Sequence, residues 1–326
     1  MALLSVRNLA TYYGAGSEPV RAVDGISFDV EPGEIMGLVG ESGCGKTTVG
    51  FSLMRLLPSS ARVVQGEMLL EGRDLLKMNA AELRTMRGNR IAMIFQDPMT
   101  SLDPSFSIGE QIMEPLREHL GLDAGAARER ALELLTQVGI PSPAERLGRY
   151  PHEFSGGMRQ RVVIAIALAC DPVLLICDEP TSALDVTVQA QILGLFRALR
   201  REHRQTGIVF ITHDLGVVAQ LCQRVAVMYA GQIVEQGPVR DIFASPRHPY
   251  TRGLLESLPG RVARGSKLSQ IEGTVPNLRR PPTGCRFAPR CGFARPECAL
   301  PPPIYRVGNQ DVACVLYGEE RTRVPA

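Results

Sequence analysis

The chain has 326 residues, a length that favours about two domains. Its 36 Lys and Arg residues against 34 Asp and Glu residues give a formal net charge of +2, so charge does not indicate a nucleic acid or an anionic membrane surface as the main partner. A hydrophobic fraction of 44% and a charged fraction of 21% are typical of a globular protein and exclude a disordered or collagen-like chain.

The sequence shows neither a membrane span nor a secretory leader. Its most apolar stretch, residues 162–177, is interrupted by Asp171 and Pro172, and no run reaches the roughly 18 apolar residues that a span requires. The first residues lack a basic leader followed by an apolar segment. We therefore expect a chain that stays in the cytosol, where a reducing environment argues against disulfides among its eight cysteines.

Short β-rich runs alternate with helical patterns up to about residue 250. The predicted strands include residues 26–30, 35–39, 91–95, 173–177 and 207–212. This alternation predicts an α/β fold with a mainly parallel sheet covered by helices. Residues 97–169 are mostly helical, with an amphipathic helix over 124–138, which predicts an inserted subdomain. Beyond residue 250, Pro, Gly and Arg become frequent, which indicates a domain boundary before a segment spanning 251–326.

A phosphate-binding loop is predicted where the sequence matches G-x-x-x-x-G-K-[ST]. The matching residues are Gly40, Glu41, Ser42, Gly43, Cys44, Gly45, Lys46 and Thr47, and the predicted nucleotide site also includes Thr48. An apolar strand precedes the loop and a helix toward residue 57 follows it, so backbone N–H groups and a helix N-terminus would face a phosphate chain. We expect Lys46 to reach the β- and γ-phosphates and the Thr47 hydroxyl to ligate Mg²⁺.

Two carboxylates follow the apolar strand at residues 173–177. In α/β sheets the carboxyl ends of the strands form the ligand crevice, so Asp178 and Glu179 are expected to face bound nucleotide. Successive side chains on an extended backbone point in different directions. Asp178 is therefore predicted to hold the Mg²⁺ shell, and Glu179 to polarise the attacking water.

Residues 154–161, with the sequence FSGGMRQR, resemble the signature of the ATP-binding cassette (ABC) ATPases. Ser155, Gly156 and Gly157 precede a predicted helix over 162–169 and would form a second exposed helix N-terminus for phosphate oxygens. The resemblance implies that this end serves the ATP of a partner cassette, so that two nucleotides are sandwiched between head-to-tail subunits. It also implies an enzyme that hydrolyses ATP to ADP and phosphate.

The resemblance extends along most of residues 1–250. It implies a P-loop NTPase, ABC-type nucleotide-binding domain with a RecA-like core, an antiparallel β subdomain and a helical subdomain at about 97–169. Gln96 resembles the glutamine that touches Mg²⁺ or water, and Asp185 in Ser182-Ala-Leu-Asp185 resembles the D-loop. His213 resembles the switch histidine at the γ-phosphate. Tyr13 matches the aromatic residue that stacks on adenine, although a slip by one residue would select Tyr12.

The sequence HPYT at 248–251, followed by LLESLP at 254–259, resembles the start of the extension found on ATPase subunits of oligopeptide and dipeptide importers. Residues 97–104, DPMTSLDP, also resemble that subgroup. This implies two transmembrane permease subunits, an extracytoplasmic peptide-binding protein and a position on the cytoplasmic face of the bacterial inner membrane. The resemblance favours a heterodimer with a second ABC ATPase, and a second copy of this chain stays open as the sandwich partner. Dipeptides, longer peptides, glutathione and nickel all stay open as cargo, because other subunits select it.

Four late cysteines run Cys285-x5-Cys291-x6-Cys298-x15-Cys314 in a Pro-rich segment that is too short to build much core. Four thiolates suit an iron–sulfur cluster or zinc, and the lack of a C-x2-C pair makes a zinc ribbon less fitting. The importer subgroup carries four cysteines here that ligate a [4Fe-4S] cluster, so the resemblance implies a cluster that staples the segment. Zinc, no metal, and occasional disulfides remain alternatives.

The sequence argues against two other classes of function. An ABC ATPase of DNA maintenance or translation would need a long heptad insertion or two cassettes in one chain, and the sequence shows neither. A nucleotide-binding regulator without catalysis would be expected to lack the catalytic base or the signature serine. This chain has both, as Glu179 and Ser155. No nucleic-acid partner is expected.

Overall fold

A computed structural model describes residues 2–182, 184–258 and 270–318. Ala183 of the predicted D-loop, and residues 259–269 and 319–326 of the predicted C-terminal segment, lie outside the described residues. The chain divides into two compact units, each made from separate stretches of sequence. The first unit comprises the residues up to Leu3, Val30–Glu34 and Lys77–Phe210, and the second comprises Leu4–Asp29, Ile35–Leu76 and the chain from Ile211 onward.

The first unit combines a parallel strand pair with a group of helices. Its elements in chain order are α2 (Ala80–Met86), β6 (Ile91–Ile94), α3 (Pro98–Ser101), α4 (Ile108–Leu120), α5 (Ala124–Gln137), α6 (Pro143–Arg146), α7 (Gly156–Leu168), β7 (Leu174–Asp178), α8 (Val186–Glu202) and β8 (Gly207–Thr212), whose last two residues are counted with the second unit. Strands β6 and β7 pair in parallel, and every residue of both is buried. Except for Asp178 at the end of β7 these strands are apolar, and buried apolar strands are typical of a sheet that is covered on both faces.

Polar side chains define where the helices of the first unit begin. Ser107 and Glu110 form a reciprocal capping box at the start of α4, and the Asp123 carboxylate accepts the backbone N–H of Ala126 at the start of α5. The predicted amphipathic helix over 124–138 therefore matches α5 to within one residue. Within the described ranges, no helix is both long enough and apolar enough to cross a bilayer.

The prediction for the signature helix was wrong at its start. The sequence predicted a helix over 162–169, whereas α7 begins at Gly156. The Ser155 side chain accepts the backbone N–H of Met158, which compensates for the low helix propensity of the two glycines that follow it. The helix therefore starts directly after Ser155, and its exposed N-terminus lies within the signature sequence.

The second unit contains two sheets. Its elements in chain order are β1 (Leu4–Tyr13), β2 (Val20–Val30), β3 (Ile35–Val39), α1 (Lys46–Met54), β4 (Ala61–Leu70), β5 (Arg73–Asp74), α9 (Leu215–Leu221), β9 (Arg224–Tyr229), β10 (Gln232–Pro238), α10 (Val239–Ala244), α11 (Pro249–Glu256), β11 (Ile304–Val307) and β12 (Gln310–Ala313). One sheet has the order β2-β1-β4-β5, with β1 antiparallel to β4. In the other, β3 runs parallel to β9 and β10 runs antiparallel to β9.

The C-terminal segment adds strands that the sequence did not predict. Strands β11 and β12 form an antiparallel hairpin, and Val312 and Asp311 of β12 lie opposite Glu235 and Gln236 of β10. Val307, Val312 and Cys314 form a small buried cluster. The described part of the segment is therefore anchored by sheet pairing and apolar packing.

Candidate functional site

The phosphate loop joins β3 to α1 in the second unit. All five residues of β3 are buried, and α1 begins at Lys46, directly after Gly45. Gly45 has a φ of 105°, a backbone conformation that only glycine adopts without strain, and a Cβ atom there would overlap the Ala22 carbonyl oxygen. The conformation of the loop therefore requires glycine at position 45, immediately before Lys46.

Lys46 is buried, with 5% of the residue exposed. Its Nζ donates to the carbonyl oxygens of Gly40, at 2.9 Å, and Glu41, at 3.0 Å. The ammonium group therefore lies inside the loop and is held by the loop's own carbonyl oxygens. Burial raises the pKa of the neighbouring Cys44 thiol, although the charge of Lys46 acts in the opposite direction, so Cys44 is a packed thiol and not a ready thiolate.

Tyr12 and Tyr13, the two candidates for the adenine-stacking residue, have different partners. The Tyr12 hydroxyl donates to the Asp24 carboxylate at 2.6 Å, and burial together with this bond raises the pKa of Tyr12 to about 12. The Tyr13 hydroxyl lies 3.3 Å from Thr48 Oγ1 in α1. Because α1 carries the end of the phosphate loop, this contact places the Tyr13 hydroxyl beside that helix.

The two predicted catalytic carboxylates follow β7 in the first unit. Asp178 is 2% exposed, whereas Glu179 is partly exposed and adopts a left-handed backbone conformation with a φ of 46°. Such strained backbone in a residue other than glycine is concentrated at functional sites. Gln96 Nε2 donates to Glu179 Oε2 at 3.3 Å, so the structure brings these two predicted residues together.

The signature residues also lie in the first unit, at the exposed start of α7. Gly157 packs against α8, and a Cβ atom there would come within 2.6 Å of Val188 Cγ1. Asp185 caps α8 by accepting the backbone N–H of Val188 at 2.9 Å. The predicted D-loop aspartate therefore has a local structural role that the sequence pattern alone did not reveal.

His213 follows β8 and is exposed in the second unit, two residues before α9. The next residue, Asp214, caps α9 by accepting the backbone N–H groups of Gly216 and Val217. The phosphate loop, Tyr13 and His213 thus all lie in the second unit. The first unit holds Gln96 and the remaining predicted residues, which are Ser155, Gly156, Gly157, Asp178, Glu179 and Asp185.

The four late cysteines line one small apolar pocket in the second unit. Its lining consists of His248, Pro249, Cys285, Phe287, Ala288, Cys291, Phe293, Cys298, Cys314, Val315 and Leu316. All four cysteines are free thiols, and among the described residues no three His, Cys, Asp or Glu side chains are grouped as a metal-ion site. Burial raises the pKa of the Cys285 and Cys291 thiols, and raises the pKa of Cys314 to about 11.

Sequence reasoning missed two residues that contact the phosphate loop. The Tyr250 hydroxyl accepts the backbone N–H of Glu41 at 2.9 Å, and Arg290 forms an ion pair with the Glu41 carboxylate at 2.8 Å. Tyr250 belongs to the sequence HPYT, which served only as a mark of resemblance. No signal in the sequence connects Arg290 with Glu41, because 249 positions separate them.

Comparison with known proteins identifies the family. Residues 23–182 match the ABC transporter family, and residues 234–298 match the oligopeptide/dipeptide transporter C-terminal region. The dipeptide transport ATP-binding protein DppD of Bacillus subtilis is 52% identical over 317 residues, which are 96% of this chain and 94% of the relative. The oligopeptide transport ATP-binding protein OppD of the same organism is 50% identical over 310 residues, 94% of this chain and 86% of the relative.

Solved structures support the same conclusion. The dimeric ATP-binding cassette MJ0796, in a post-hydrolysis state bound to ADP and Pi, matches with a TM-score of 0.65 and 27% identity over 73% of this chain and 99% of that chain. CbiO1 of Clostridium perfringens, part of the ABC transporter complex cbiONQ, matches with a TM-score of 0.64 and 27% identity over 75% of this chain and 91% of its own.

This chain therefore belongs to the ABC transporter ATPases, and it carries the C-terminal region of the oligopeptide/dipeptide transporter group. The predicted family and the predicted ABC-type nucleotide-binding fold are confirmed, as is the prediction of an ATPase.

Proposed function

We propose that this chain hydrolyses ATP to power the import of dipeptides or oligopeptides across the bacterial inner membrane, on whose cytoplasmic face it docks on two permease subunits. The observation that supports this most strongly is the similarity to DppD and OppD over nine-tenths of the chain, including the C-terminal region. A second ATPase subunit completes the head-to-tail pair, and a peptide-binding protein on the outer side delivers the cargo. Residues 1–250 form the nucleotide-binding domain, and residues 251–326 form the extension.

The proposed roles are those that the resemblance to ABC ATPases implies for residues of both units. In the second unit the phosphate loop, residues 40–48, binds the triphosphate, Tyr13 stacks on adenine and His213 contacts the γ-phosphate. In the first unit Glu179 orients the attacking water, Gln96 and Asp178 are proposed Mg²⁺ ligands, and Asp185 faces the partner cassette. Thr47 of the phosphate loop is the Mg²⁺ ligand proposed in the second unit. The start of α7, at Ser155, Gly156 and Gly157, serves the ATP of the partner.

Co-purification in detergent tests the proposed transport function. We expect the tagged chain to bring down two permeases, a second ATPase and a substrate-binding protein. Vesicles containing that complex are expected to accumulate labelled dipeptides in an ATP-dependent manner, with glutathione and nickel as competing cargoes. Accumulation of nickel without peptide would assign the same machinery to a different cargo, and a chain that recovers no permease would contradict the proposal.

We infer that Cys285, Cys291, Cys298 and Cys314 hold a [4Fe-4S] cluster. Two of the thiols already receive backbone N–H groups, from Phe293 to Cys291 Sγ at 3.4 Å and from Arg295 to Cys298 Sγ at 3.4 Å. The four thiols line one pocket, although the described residues include no group of three His, Cys, Asp or Glu side chains arranged to hold a metal ion.

The proposed cluster would fasten the extension, and the cysteines would supply four thiolates. Because burial raises the pKa of three of these thiols, they stay protonated near neutral pH in the metal-free chain, and loading releases protons. Apart from His248 and the cysteines, the described lining of the pocket is apolar. The role proposed for the four cysteines is therefore structural.

Replacing Cys298 with serine is expected to remove the cluster. The anaerobically purified full-length chain should contain about four iron atoms per chain and absorb light at about 400 nm. Cys298→Ser should lose most of the iron and most of this absorbance. Cys170→Ser is the control, because Cys170 is also a free thiol but lies in the first unit, where its Sγ contacts the Pro115 carbonyl oxygen at 3.5 Å. A wild-type chain that carries zinc, or no metal, would contradict the inference.

A further inference from the structure

Arg290 connects the four-cysteine segment with the phosphate loop. It immediately precedes Cys291, and its side chain is 6% exposed. Its Nη1 atom lies 2.8 Å from Glu41 Oε2, and its Nη2 atom lies 3.1 Å from Glu41 Oε1. This two-point pairing of a guanidinium with a carboxylate fixes the orientation of both groups, which a single contact would not do.

All the donors of Arg290 have partners. Nε donates to the Glu272 carbonyl oxygen at 2.9 Å, Nη2 also donates to the Ile271 carbonyl oxygen at 2.9 Å, and Nη1 also donates to the Tyr229 hydroxyl at 3.3 Å. Together with the two bonds to Glu41, these contacts use every N–H group of the guanidinium. Arg290 is thus held in one place by the extension and by β9.

Glu41 is the second residue of the phosphate loop, and its backbone is also fixed. Its N–H donates to the Tyr250 hydroxyl at 2.9 Å, and its carbonyl oxygen accepts from Lys46 Nζ at 3.0 Å. Only one residue therefore separates the guanidinium of the extension from the ammonium of the phosphate loop. A displacement of Glu41 would alter the loop at the position that holds Lys46.

An aromatic cluster lies between the loop contacts and the cysteine pocket. The rings of Tyr229 and Tyr250 are 4.6 Å apart, and Phe287 lies 5.2 Å from Tyr229 and 5.4 Å from Tyr250. Phe287 also lines the cysteine pocket. Tight packing of this kind transmits a change in the extension to Tyr250 and Glu41 and leaves little room to absorb it.

We propose that Arg290 is a positioning residue that holds the phosphate loop in its nucleotide-binding conformation, so that nucleotide binding and the folding of the four-cysteine segment are coupled. The electrostatic reason is that the Glu41 carboxylate, only 26% exposed, would oppose an incoming triphosphate if no cation neutralised it. The inference rests on nucleotide binding at this loop, and it depends neither on the cargo nor on a metal.

Nucleotide affinity tests the proposal in the full-length chain. Titration with a fluorescent ATP analogue is expected to show that Arg290→Gln raises the Kd about tenfold. Arg290→Lys keeps the positive charge but cannot pair with both carboxylate oxygens in the same way, and we expect it to raise the Kd about threefold. In the complex purified with its permeases, the KM for ATP should rise while kcat changes by less than about twofold, since no group at the reacting atoms is removed. The matched control is Arg306→Gln, because Arg306 pairs with Asp311 within the hairpin β11–β12 of the same extension.

A double-mutant cycle with Glu41→Gln separates coupling from general damage. We expect Arg290→Gln to have little further effect on Kd once Glu41 is neutral, since the two changes remove the same interaction. Additive effects would overturn the proposal, as would equal Kd values for Arg290→Gln and Arg306→Gln. If Arg290→Gln does not fold, Arg290→Lys replaces it in the cycle, and the same additivity criterion applies.

Coupling must act in both directions, which gives a readout that is independent of turnover. Bound ATP analogue is expected to slow amide hydrogen exchange in residues 284–299 of the wild-type chain, and not in Arg290→Lys or Arg290→Gln. Unchanged exchange in wild type at saturating nucleotide would overturn the proposal. A wild-type chain that binds no ATP at all would instead contradict the proposed function.

Discussion

Glu179→Gln is expected to reduce ATP hydrolysis by about a thousandfold, within the range of loss that follows removal of a general base. Glutamine preserves the size of the side chain and can still accept the hydrogen bond from Gln96, so the local structure should survive. Nucleotide affinity should stay within about twofold of wild type, because the carboxylate acts on the water and not on the bound phosphates. Phosphate release and analogue binding measure the two effects.

The matched control is Glu133→Gln in α5, where the glutamate pairs with Arg130 on an exposed surface. That variant should hydrolyse ATP at the wild-type rate. Because hydrolysis opens the proposed dimer, Glu179→Gln mixed with its partner ATPase should also accumulate as a dimer on size exclusion with ATP. Wild-type turnover in Glu179→Gln would show that another group orients the water.

Lys46→Ala is expected to weaken ATP binding by about a hundredfold. Charge-assisted hydrogen bonds to phosphate contribute about 1.5–3 kcal/mol each, and a tenfold change in affinity corresponds to about 1.4 kcal/mol. The variant also removes the donor that holds the Gly40 and Glu41 carbonyl oxygens, so the free loop should become less ordered. Titration with a fluorescent ATP analogue provides the affinity.

Arg240→Ala removes a cation whose side chain is 94% exposed and serves as the control for the change in net charge. Its Kd should equal that of wild type. Thermal unfolding of Lys46→Ala without nucleotide should show that the free energy of unfolding falls by about 1 kcal/mol or less for each missing hydrogen bond. Wild-type affinity in Lys46→Ala would remove Lys46 from the phosphate site.

The sequence predicted the parts of the site that depend on short stretches of chain. The phosphate loop requires glycines at fixed spacing beside one lysine, and the structure places Gly45 in a conformation that requires glycine. The helix α5 follows from apolar periodicity and its Asp123 cap. The start of α7 was mispredicted because two glycines suggest a loop, whereas the Ser155 cap outweighs their low propensity.

Contacts between distant parts of the chain were visible only in the tertiary structure. The pairing of β12 with β10 joins residues about 75 positions apart, and the ion pair of Arg290 with Glu41 joins residues 249 positions apart. Neither follows from local propensity or from a motif. The amino-acid sequence by itself determined the family, the nucleotide loop and the four cysteines, because each is written in residue type and spacing. Only folding decided that the extension contacts the phosphate loop, since that depends on which surfaces pack together once the chain is compact.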